Sequence, residues 1–89
     1  MLKRMKHAGK QTLDQLSTLL ERLRELPIQE KSRGVFHFRS RAFLHFHEDA
    51  AGIFADLRAG DAWQRHRVTT KRAQATVLAR ARRFLLGKS

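Results

Sequence analysis

Between Gly34 and Arg58 the chain reads GVFHFRSRAFLHFHEDAAGIFADLR. Two runs in it, Val35–Arg39 and Ala42–His47, alternate in character and are rich in Phe, the period-two pattern of strands. A hairpin with the three-residue loop Arg39-Ser40-Arg41 would pair Phe38 with Ala42 and Phe36 with Leu44. Phe46 would follow on the same, wholly apolar face. The opposite face would then carry Val35, His37, Phe43, His45 and His47. A slip of one residue would exchange the two faces, so burial of the apolar set specifies the register. A third run, Ile53–Arg58, follows the turn signal Glu48-Asp49-Ala50-Ala51-Gly52. It adds Ile53, Ala55 and Leu57 to the apolar face, and Phe54, Asp56 and Arg58 to the other. The expected sheet is a three-stranded antiparallel meander with one clean core face and one face of mixed character.

A sheet with one apolar face needs a cover, and both flanks of the meander supply one. Leu13, Leu16, Leu20 and Leu23 recur at helical spacing, with Leu19 and Leu26 widening the stripe. Thr12 is the expected cap, Asp14 suits the first turn, and Pro27 ends the helix. Ile28–Arg33 reads as a polar connection. After the turn Ala59-Gly60-Asp61, the segment Ala62–Val68 holds the only Trp, Trp63, which the pattern leaves unassigned. It has room for a short fourth strand at Arg65–Val68. Thr69 or Thr70 then caps a last helix running to about Leu86 and closed by Gly87, with Ala73, Val77, Ala81, Phe84 and Leu85 on one face. The expected fold is α+β: helix, three-stranded antiparallel meander, helix, with both helices on one sheet face. It forms a single domain over residues 12–87, preceded by a basic flexible arm over residues 1–11.

Composition narrows the chemistry. Among 89 residues there is no Cys, which excludes disulfides and thiolate metal sites. No run approaches ~18 apolar residues, so no membrane span is expected. No apolar stretch follows the basic start, so no secretory signal is expected and the chain is read as cytoplasmic. The net charge of +11 is uneven. Residues 1–12 carry four Lys/Arg and no acid, residues 13–60 seven of each sign, and residues 61–89 eight Lys/Arg against one acid. Basic ends around a neutral middle favour nucleic acid or another polyanion as partner.

Three groups of residues are candidates for function. His45 and His47, two apart on one strand face with Asp56 beside them, form a set suited to a divalent ion or to acid–base work. Half-exposed strand histidines bonded to Asp56 or the backbone are the plainer reading. No nucleophile motif, phosphate loop or dinucleotide fingerprint accompanies them. No catalytic residue is assigned and no cofactor is expected. The second group is Arg65, Arg67, Thr70, Lys71 and Arg72, where cations and hydroxyls converge on a helix start able to hold an anion. An ordinary solvated helix start is the alternative there. The third is the mixed sheet face itself: Val35, His37, Phe43, His45, His47, Phe54 and Asp56. That face suits stacking on bases, a second subunit in a homodimer, or burial under the Trp63 segment.

The run Ala42-Phe43-Leu44-His45-Phe46-His47-Glu48-Asp49, with Gly52-Ile53-Phe54-Ala55-Asp56-Leu57 after it, resembles a set of small uncharacterised bacterial proteins across roughly residues 12–86. The resemblance implies a bacterial cytoplasmic protein and carries no activity or site residue. The reading placed first is therefore a small non-enzymatic interaction protein that uses the mixed sheet face for self-association or a partner. An accessory nucleic-acid binder using the basic ends is the first alternative. A metal-dependent enzyme using the His/Asp cluster is the second.

Overall fold

The computed structural model describes residues 6–87. In chain order the elements are β1 (Lys6–His7), α1 (Lys10–Gln15), α2 (Ser17–Leu23), β2 (Gln29–Ser32), β3 (Val35–Phe38), β4 (Arg41–Asp49), β5 (Gly52–Ala59), β6 (Ala62–Arg67) and α3 (Lys71–Leu86). The sheet is antiparallel in the order β2-β3-β4-β5-β6. β1 pairs with β4 at His47 and Glu48, whose opposite edge is taken by β5.

The leucine spacing does what it promised. Leu13, Leu16, Leu19, Leu20 and Leu23 are all buried, in one core with Phe36, Leu44, Phe46, Ala55, Leu57, Val77, Ala81 and Leu85. Both helical segments therefore lie on the face expected for them. The first is two helices rather than one. At Leu16 the backbone leaves helical geometry (φ −97°, ψ 12°), and its N–H bonds the carbonyl of Leu13, one residue short of the α-helical partner.

Its start also differs from expectation. Thr12 does not cap the helix but is buried inside α1, and Gly9 is the cap residue, with no side-chain acceptor of its own. Glu48 of β4 takes that role: its Oε2 accepts from the Gly9 N–H at 2.7 Å. The Thr12 hydroxyl bonds the same carboxylate and, with Gly9, holds the Glu48 carboxyl below its ordinary value. Residues 6–11, assigned above to the arm, form β1, the link Ala8-Gly9 and the first residues of α1; residues 1–5 lie outside the described residues.

The sheet has more strands than the expected three. Gln29–Ser32, read as a connection, is β2, and the short fourth strand is the six-residue β6. Both are sheet edges with mostly exposed side chains, so neither needs an apolar alternation. The β3–β4 hairpin shows the most consequential difference. Its loop has two residues, not three: Phe38 pairs with Arg41, and Arg39 (φ 52°) and Ser40 (φ 66°) take the positive φ that a type I′ turn demands at both positions. Phe36 still pairs with Leu44, because β4 holds a bulge between Ala42 and Leu44 that leaves Phe43 unpaired. The bulge turns Phe43 out of the mixed face. It is 2% exposed and packs against Phe38 and against Phe84 of α3.

Candidate functional site

Beyond the bulge the alternation is regular, and the strand register lays out the face turned away from the helices in rows. Arg58 pairs with Trp63. His45 pairs with Asp56, and Asp56 with Arg65. His47 pairs with Phe54, and Phe54 with Arg67. His7 of β1 pairs with His47 from the other side.

Asp56 is the centre of this face and is itself buried. Arg65 grips its carboxylate with two bonds, Nε to Oδ1 at 2.7 Å and Nη2 to Oδ2 at 2.9 Å. His47 Nδ1 lies 2.8 Å from Oδ2. An ionised carboxylate only accepts, so His47 carries its proton on Nδ1 to make this bond. The Arg65 bond is the main reason the Asp56 carboxyl titrates below its ordinary value, and it raises Arg65 in turn. His45 is placed differently. Its Nδ1 is 3.9 Å from Asp56 Oδ2, too far for a hydrogen bond, and is buried without a partner. Burial, followed by the neighbouring His47, pushes the His45 imidazole below its ordinary value. The donor atoms of His45, His47 and Asp56 all lie within 4.8 Å of one another. The His7 ring lies 4.7 Å from that of His47, and the Trp63 ring 4.8 Å from that of His45. The Arg58 guanidinium covers Trp63 at 4.6 Å.

The sequence-derived face therefore divides. His45, His47, Phe54 and Asp56 share it as expected. Phe43 leaves it for the core. Val35 and His37 lie on β3, which is separated from β5 by β4 and pairs with β4 only over Arg41–Leu44. Arg58 lies on it too, as the alternation of β5 placed it, and Trp63 and His7 join it; the places of these two follow from the β6 and β1 pairings, which no apolar pattern announced.

The basic set divides too. Arg65 is committed to Asp56. The Thr70 hydroxyl accepts from the Ala73 N–H at 3.1 Å, so it serves as the cap of α3. Arg67 donates to Thr69 Oγ1 at 3.2 Å. Arg65, His66, Arg67, Thr70, Arg72 and Thr76 border one open groove between β6 and α3, whereas Lys71 borders a separate cleft against α2. Arg72, Thr76, Arg80 and Arg83 recur at i, i+4, i+8 and i+11 and so form one stripe of α3. Arg80 reaches close enough to His66 to help push its imidazole below the ordinary value, although burial is the larger cause. Arg80 and Arg83 were legible as members of that stripe by spacing alone, but nothing in the sequence said that β6 lies beside it.

No helix among the described residues is long and apolar enough to cross a membrane. Comparison with known proteins gives no matching family model, no matching curated protein and no matching solved structure.

Proposed function

We propose that this protein is a small binding module for nucleic acid, gripping the phosphate backbone along the groove between β6 and α3. One observation carries the reading. From Ala62 to Gly87 the chain has seven Lys/Arg and no acid, and β6 and α3 lie side by side, so Arg67 of the strand and the Arg72, Arg80 and Arg83 stripe of the helix share one surface. Among the described residues, only Arg65 of these seven has a carboxylate partner, and that partner comes from β5. Arg67, Arg72, Arg80 and Arg83 are exposed along the groove and its continuation. An ordinary solvated helix would intersperse acids at i+3 or i+4, as α1 does with Lys10 and Asp14.

Backbone contacts release counterions, so log affinity falls linearly with log salt. Four phosphate contacts correspond to a slope of about −3.6 on duplex and about −2.8 on single strands, or a roughly hundredfold loss on duplex between 50 and 200 mM salt. Sequence preference is small, since phosphates carry no direct base readout. The test is a fluorescence titration of labelled duplex and single-stranded oligonucleotides across that range. A variant with Arg67, Arg72, Arg80 and Arg83 replaced by Gln should flatten the slope by about three units on duplex. Arg65 is left in place because it holds a buried carboxylate. No binding at 50 mM salt, or an unchanged slope in the variant, refutes the proposal.

A second reading, a protein partner or a second copy on the open sheet face, is favoured by Trp63, which is 41% exposed on the edge strand of that face. Light scattering across a concentration series tests the self-association arm.

A further inference from the structure

We propose that His45, His47 and Asp56 form a binding site for a divalent first-row transition ion such as Zn²⁺ on the open face of the sheet, separate from the β6–α3 groove. The donor set is two imidazoles and a carboxylate, the borderline ligands that such ions prefer. The geometry is close to what an ion needs. Metal–ligand bonds of about 2.1 Å in a tetrahedral site place ligand atoms roughly 3.4 Å apart. The two imidazole Nδ1 atoms stand 2.8 and 3.9 Å from Asp56 Oδ2, on either side of that spacing.

A second, independent observation comes from His45. Its Nδ1 is buried, has no hydrogen-bond partner, and belongs to a ring set beside the carboxylate. A buried polar atom without a partner is costly, and a shared cation would satisfy it. The protein already holds the remaining parts in place. Arg65 orients the Asp56 carboxylate through two bonds, a fixed outer partner of the kind that positions metal-binding carboxylates. Trp63 and His7 flank the two imidazoles.

Binding exchanges one contact. The His47 Nδ1 proton now bonded to Asp56 moves to Nε2, and the ion takes its place between Nδ1 and Oδ2. Three protein ligands leave a fourth position open to solvent. Because Asp56 is held by Arg65 whether or not an ion is bound, the fold does not depend on the ion.

The experiment uses the untagged full chain after removal of metals with chelator. Co²⁺ is titrated while visible d–d absorption is followed, and Zn²⁺ is titrated by calorimetry. The expected result is one equivalent of each ion. His45→Ala and His47→Ala should each lose the Co²⁺ bands and weaken Zn²⁺ more than tenfold, while His37→Ala, on β3, binds as the native chain does. Circular dichroism of each variant establishes that it folds. Imidazole ¹⁵N spectra of the native protein give a reading that needs no substitution: Zn²⁺ should shift Nδ1 of His45 and His47 and leave both nitrogens of His37 in place. Absence of binding, survival of the bands in both alanine variants, or shifts at His37 in place of the pair would overturn the proposal.

Discussion

Replacing Phe43 by Ala puts the register of β4 to a quantitative test. An uninterrupted alternation would place Phe43 on the same face as His45, at the sheet surface, where truncation costs about 0.5 kcal/mol. The bulge instead buries the ring to 2% exposure, with the Phe84 centroid at 5.7 Å and that of Phe38 at 5.9 Å. Removing a buried Phe ring costs about 3–5 kcal/mol, and the loss of two aromatic pairings favours the upper half of that range. A domain of 89 residues has a total stability of about 4–13 kcal/mol, so the variant gives up about a quarter of it or more. The assay is urea unfolding followed by the fluorescence of Trp63, the only Trp, together with circular dichroism. The midpoint should fall sharply while the slope m stays the same, as expected for a change in stability alone. Phe54→Ala is the internal reference, since Phe54 is half-buried on the open face and should cost about 1 kcal/mol. A loss below about 1.5 kcal/mol for Phe43→Ala, or one no larger than that of Phe54→Ala, would refute the bulge.

Two further outcomes follow from the geometry. Asp56 is held below its ordinary value of 3.8 by Arg65, so its contribution to stability is complete above that value and is lost as pH falls through the depressed folded-state value. The gap in urea midpoint between the native chain and Arg65→Gln should therefore be widest near neutrality and close on acidification below 3.8; a gap that is constant with pH would contradict this. At the hairpin tip, Ser40→Gly should raise stability by roughly 0.5 kcal/mol and Ser40→Val should lower it by about 1–2 kcal/mol, because only Gly holds a left-handed conformation without strain. The reverse order in denaturation midpoints would contradict the type I′ turn.

The parts of the fold that could be read from the sequence are those where burial imposes a period. Five leucines at helical spacing located the first helical layer, and the apolar alternation in β4 and β5 brought His45, His47 and Asp56 onto one face. β2 and β6 were largely invisible for the converse reason. Gln29–Ser32 and Ala62–Arg67 are edge strands whose side chains mostly face water, so nothing forces an alternation on them. Without the β6 pairing, Trp63 had no place, and Arg58 and Arg65 had no known neighbours. The Glu48 cap was out of reach because its acceptor and donor are 39 residues apart. Phe43 was misplaced because a bulge is a feature of pairing, and the hairpin has the same number of residues whether the extra one sits in the loop or in the strand.

That last equality has an evolutionary consequence. By moving one residue out of the turn and into β4, the chain splits a single strand into two segments that answer to different selection. At the bulge, Phe43 serves the helix layer; after it, β4 presents the histidine row on one face and keeps Leu44 and Phe46 in the core on the other. An insertion or deletion confined to the turn or to the bulge would slip one segment against β3 and expose part of the core. A compensating pair of changes, one in each place, would leave His45 and His47 where they are. Lineages carrying this fold are thus free to exchange loop length for bulge size while the open face stays in register, so the histidine row can outlast considerable drift in the hairpin that precedes it.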